Sequence, residues 1–262
     1  MVAKDATTRA EWIDDRNGAS FLVPLGLFAA AGLGWWWSVH MARDMRTEKM
    51  AGMDMSTGDA VNATGFLLAW LAMMAAMMLP SMTPVSKLYR RAAVAGRVAP
   101  FPYFIAGYLG VWMLPAIPAY FAWRELAVSL TTGSERVGRL AGAVFFVAGL
   151  WQLTPLKTRC LRHCRSPMSF FLRFGRSVEK PLGATRLGLF HGLYCGGCCW
   201  AMFAVLIALG TMNIGWMLIL TALIVAEKTF RVGEKVGRVA GGLSLVVGVV
   251  LLSSPRFLST IT

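Results

Sequence analysis

Charge is what this sequence has least of. Only 15% of its 262 residues are Asp, Glu, Lys or Arg, against about 25% in a typical soluble domain. Acidic residues are the scarcer kind, 13 against 26 basic ones, and histidine occurs 3 times. Cysteine occurs 5 times, an odd count without the spacing of an extracellular disulfide framework. The common catalytic signatures are missing: no G-x-S-x-G, no H-E-x-x-H, no phosphate-binding loop and no dinucleotide fingerprint. No two carboxylates share an apolar stretch. These absences exclude a soluble globular enzyme. Disorder is excluded too, because long apolar runs dominate. A protein that is not an enzyme is expected.

What is there is hydrophobic: 56% of residues, with a mean hydropathy of +0.58. Apolar stretches occupy roughly residues 21–39, 61–79, 101–123, 137–153, 182–209, 214–226 and 236–252. A span needs about 20 residues, shorter where the bilayer adapts. The expected fold is all-α, a polytopic transmembrane bundle of about seven helices. The first stretch has an acidic leader and ends on Trp35, Trp36 and Trp37, an interfacial aromatic belt, so we expect an uncleaved helix. Pro80 and Pro84 are expected to stop the second helix, and Pro115 and Pro118 to kink the third. Eighteen Lys and Arg fall on the side shared with the N-terminus and seven on the other, which predicts a cytoplasmic N-terminus. The organisation expected is a polar segment 1–20, a first helix with a Met-rich outer loop over 21–60, and a six-helix metal-binding membrane domain over 61–254. The formal charge of +13 is expected from basic cytoplasmic loops, so the partner is the lipid bilayer and no nucleic acid.

Four constellations carry possible chemistry. His191, Cys195, Cys198 and Cys199 lie three or four residues apart and share a helix face. Thiolates and an imidazole are ligands for a soft metal, copper as Cu(I) first and zinc second. The alternatives are inert thiols in small-residue packing, helped by Gly192, Gly196 and Gly197, or a redox dithiol. Met73, Met74, Met77 and Met78, followed by Met82, form a thioether set that either ligates a soft cation or simply packs. His40, Met41, Met45, Met50, Met53 and Met55 mark an outer segment that either collects Cu(I) or lies on the lipid surface. Cys160, His163 and Cys164 sit among Lys157, Arg159, Arg162 and Arg165. That basic surrounding is expected to lower thiol pKa values, or to be a solvated face with incidental thiols. Glu227 and Lys228 end the sixth stretch and are expected to snorkel at the interface.

Several stretches resemble one bacterial family, the predicted metal-binding integral membrane proteins, some of which are labelled copper chaperones. They are Trp70 through Pro80 (W-L-A-M-M-A-A-M-M-L-P), Thr154 to Lys157 with Cys160, and Cys164 to Pro167. Gly192 through Met202, with its C-G-G-C-C-W core, is similar as well. So are Gly210 to Asn213, Trp216 and the pair Glu227 and Lys228. The resemblance covers about residues 60–230 and implies a metal and a membrane; it gives no transported species and no direction. The expected function is handling of a soft metal in the bacterial inner membrane by ligand exchange. Outer Met residues capture the ion, and Met73, Met77 and Met78 pass it inward. His191, Cys195, Cys198 and Cys199 then hold it, and Cys160, His163 and Cys164 receive it. A soluble copper chaperone or a membrane metalloenzyme complex is the expected protein partner. An accessory subunit of such a complex and a thiol–disulfide protein are the rival expectations.

Overall fold

A computed structural model describes residues 25–44, 63–94, 99–121, 135–165, 178–209 and 213–255, and among them there is helix and no strand. The segment 1–20 and Met45, Met50, Met53 and Met55 lie outside the described residues. Helix α1 covers 25–44 and α2 covers Ala63–Met78. A 3₁₀ turn over Pro80–Met82 leads into α3, Thr83–Val94. Then come α4, Phe101–Met113, and a short α5 over 116–121. Helix α6 is Glu135–Leu153 and α7 is Pro155–Arg165. The last three are α8, Pro181–Leu209, α9, Ile214–Thr229, and α10, Gly233–Ser253.

Two helices, α8 and α10, are long and apolar enough to cross a membrane, and four spans result if two bent pairs each count as one. The first bent pair bears out one expectation and adds to it. Helix α2 ends at Met78, just before Pro80, and the chain then turns by 43° and goes on as helix. Pro84 sits in the first turn of α3, where its missing N–H has no helical partner to lose. The second pair, α6 and α7, bends by 66° at Leu153–Pro155. The basic stretch after α6 therefore begins as a helix, over Pro155–Arg165, where a loop was expected. Its buried residues Lys157, Leu161 and Cys164 recur at four and three, the stripe of an amphipathic helix laid against the bundle. At Leu114 and Pro115 the helix breaks and resumes as α5.

Two packing styles hold the helices. On α4 and α8, glycines bring backbones into contact: Gly107 lies against the carbonyl of Thr185, and Gly188 against that of Phe104. Any Cβ there would collide with main chain. On α6 and α10 the glycines form an antiparallel zipper, Gly142 against Gly248 and Gly149 against Gly241. The main core lies among α2, α4, α8 and α9, and one stripe of α2 contributes to it: Trp70, Met73, Met74, Met77 and Met78 are all buried.

Candidate metal centre

Helix α8 brings its reactive face into the main core. His191, Cys195, Cys198 and Cys199 are all buried there, on the shared stripe their spacing dictates. Cys195 Sγ is the hub. It lies 3.0 Å from the Tyr108 hydroxyl of α4 and 4.0 Å from Met78 Sδ of α2. The ammonium of Lys228, from α9, donates to the same sulfur at 3.0 Å and to Ser81 Oγ at 3.1 Å. Ser81 in turn donates to the Met78 carbonyl at the α2 bend, so the bend is what aims a hydroxyl at this point.

A second sulfur chain lies beside the hub. Cys198 Sγ is 3.3 Å from Cys199 Sγ and 3.9 Å from Cys164 Sγ. The structure thus divides the trio on α7. Cys164 joins the α8 cluster. Cys160 packs against Gly197, and the His163 ring stacks on Tyr194 at 4.3 Å and 4° while its Nδ1 contacts the Arg159 carbonyl. Burial pushes the Cys160 thiol up, so the basic neighbours do not make it the activated thiol the sequence led us to expect. All five cysteines are free thiols. Among the described residues, no three His, Cys, Asp or Glu side chains are arranged around one point as a ready coordination group.

The remaining sequence candidates fall at different distances from the hub. Met78 touches it; Met73, Met74 and Met77 line the same core. The His191 ring packs on Phe104 and Tyr108 at 5.9 and 5.7 Å, beside the cluster. His40 lies on α1 and stacks on Trp36. Of the three glycines in the C-G-G-C-C-W region, Gly192 meets Val111, and Gly197 meets Cys160 and accepts from Trp151 Nε1 through its carbonyl. Gly196 faces open space, so it serves no backbone approach.

Glu227 and Lys228 are the largest departure from expectation. They do not snorkel: 1% and 6% of their surfaces are exposed. Glu227 forms a two-oxygen ion pair with Lys157 of α7 at 2.7 and 2.8 Å. Lys157 also donates to Gln152. Gly237 leaves the room this pair needs, since a Cβ there would press on both side chains. Because Lys157 answers the Glu227 charge, the positive charge of Lys228 is left to the sulfurs. Tyr108, Ser81 and Lys228 were missed for one reason. A polar residue within or at the end of an apolar run has no tertiary address until the neighbouring helix is placed. The one signal in the sequence is that Glu227 and Lys228 belong to the resembling stretches.

The donors fit a soft ion. Thiols and a thioether meet here, and among the described residues no carboxylate reaches them; such donors suit soft ions and are poor ligands for hard cations such as Mg²⁺. A protein-family model described as copper chaperone, PpoB2, matches residues 67–251. The chain belongs to this copper chaperone family. The match runs from within α2 to near the end of α10, and so takes in the whole sulfur cluster with Lys157, Glu227 and Lys228. No curated protein and no solved structure matches the chain.

Proposed function

We propose that the chain is a non-catalytic, membrane-embedded handler of Cu(I) that holds the ion on sulfur inside its helix bundle. The observation that carries this reading is the buried meeting of Cys195, Met78 and Lys228, with Cys198, Cys199 and Cys164 alongside. Lys228 has a definite part in it. Its ammonium sits where a cation is favourable and holds the cluster as an anion-ready site. Entry of the metal ion draws Cys195 away from Lys228, which keeps Ser81 as its second partner. Two cysteine thiols that release their protons to solvent as the ion enters, one ammonium and one monovalent ion sum to zero charge. With the same two thiolates a divalent ion leaves an excess positive charge in a low-dielectric interior, so zinc requires a third thiolate. Met73, Met74 and Met77 form the thioether approach, and His191 closes the site from the α4 side. Cys164 lies within sulfur-to-sulfur exchange distance of Cys198 and is the exit ligand; Cys160 and His163, half-buried on the same helix against α8, come next on the path to the receiving partner, a soluble copper chaperone or a membrane metalloenzyme.

The topology proposed is seven spans in the bacterial inner membrane with a cytoplasmic N-terminus. Helix directions support the alternation of these spans. Contacts of α4 with α8 run the same way along both chains, and those of α6 with α10 run in opposite ways. Third and fifth spans must be parallel, and fourth and seventh antiparallel.

The test is Cu(I) competition on detergent-purified protein under reducing conditions, wild type beside Cys195→Ser/Cys198→Ser. We expect affinity to fall by well over the roughly 10–100-fold that loss of an outer-shell partner costs, with helical content unchanged. Unchanged Cu(I) affinity in the double variant sinks the proposal.

A further inference from the structure

A second site lies away from the sulfur cluster, at the bend between α6 and α7. A cavity of about 320 Å³ opens there between α7 and the first turns of α10. Its buried floor is Gln152 and Lys157, already tied to each other and, through Lys157, to Glu227. Around the floor stand Arg159, Arg162 and Arg238, all exposed, with Glu234 as the single carboxylate of the lining. The ion pairs among the described residues are Arg139 with Glu135 and Lys157 with Glu227. None of the three arginines has a carboxylate within ion-pair distance there.

Solvated arginines alone are ordinary on the cytoplasmic side of a membrane protein. Here they ring a cavity, and an apolar border runs directly from it. Leu153 lines the cavity and is exposed, Leu156 is exposed beside it, and the outer face of α10 continues as Val239, Leu243 and Val246, also exposed. Guanidinium groups form paired hydrogen bonds to phosphate oxygens. A free anion would use the arginines and leave the apolar border idle. A phospholipid uses both, with its phosphate among the arginines and its chains along α6 and α10.

We propose that this cavity is a headgroup site for an anionic phospholipid, distinct from the copper site and independent of that reading. Occupancy ties α7 to α10 across the bend, next to the Lys157–Glu227 pair that positions α9. The test uses the whole chain in detergent, titrated with dioleoyl phosphatidylglycerol, with dioleoyl phosphatidylcholine, or with inorganic phosphate, and bound lipid is counted by native mass spectrometry. Phosphatidylglycerol is expected to bind in preference to phosphatidylcholine and to resist millimolar phosphate. Arg159→Gln/Arg162→Gln/Arg238→Gln is expected to weaken it about a hundredfold, roughly fivefold for each arginine. The same three positions changed to Lys keep the charge and lose the paired hydrogen bonds, and are expected to bind between wild type and the glutamine variant. Arg136→Gln/Arg139→Gln/Arg231→Gln removes equal charge outside the cavity and is expected to leave it intact. Three results overturn the proposal. One is equal binding of the two lipids; another is equal loss in both glutamine variants. The third is full displacement of phosphatidylglycerol by phosphate, which makes the cavity a site for free anions.

Discussion

Helices α8 and α10 have the same apolar character, a hydropathy of 1.9 over their best windows, and opposite surroundings. In α8, 56% of that window is buried inside the protein; in α10 it is 22%. Helix α8 uses its buried face for thiols, a histidine and glycines that admit α4. Helix α10 uses a glycine edge to clasp α6 and turns the rest outward as Val239, Leu243, Val246 and Val249. Hydropathy therefore reports that a segment avoids water and says nothing of whether it meets lipid or protein. Chemistry concentrates in the helix that protein surrounds, since only there can fixed partners answer a buried polar group.

That contrast can be broken at graded cost. The largest effect is expected where the two regions are tied, at the buried pair of Lys157 and Glu227. Glu227→Leu alone leaves Lys157 an unanswered interior charge. It is expected to cost about 3–5 kcal/mol in reversible unfolding in mixed micelles, and adding Lys157→Met is expected to recover most of it. A single variant as stable as wild type would falsify the burial of the pair.

Glycine replacements separate the two packing styles. Gly188→Ala and Gly149→Ala each place a Cβ against main chain, and each is expected to cost about 1–3 kcal/mol. Only Gly188→Ala is expected to lower Cu(I) affinity as well, because displacing α4 moves Tyr108 from Cys195. Equal affinities in both variants would mean that the α4 contact does not shape the site.

The smallest effect sharpens the comparison from within α8. Gly196 sits in the midst of the cysteines with nothing around its missing Cβ. Gly196→Ala is expected to stabilise by about 0.5–1 kcal/mol, the gain from a helical Gly-to-Ala change. Measured by the same unfolding assay, a clear loss of stability would show that this face is occupied.

Much of this was legible because helical spacing is rigid. The stripe of His191, Cys195, Cys198 and Cys199 follows from steps of three and four, and all four side chains are buried together. Helix α7 was legible in principle by the same rule, through Lys157, Leu161 and Cys164. Its high charge hid it, since five of its eleven residues are Lys, Arg or His. Lys228 was not legible. Its position at the end of an apolar run is equally compatible with snorkelling and with burial. The sulfur of Cys195 and the hydroxyl of Ser81, 33 and 147 residues away in sequence, decide between them.

The sequence by itself determined that the chain is helical and apolar, and that its cysteines and methionines, the donors a soft metal takes, gather on particular helix faces. Periodicity and composition are local properties, so they survive without a fold. Only the tertiary structure decided that Cys164 joins the α8 thiols while His163 does not. It alone gave Lys157 to Glu227 and so left Lys228 to Cys195. Those pairings depend on which helices the glycines allow to touch, and a charge takes its meaning from the partner that packing sets beside it.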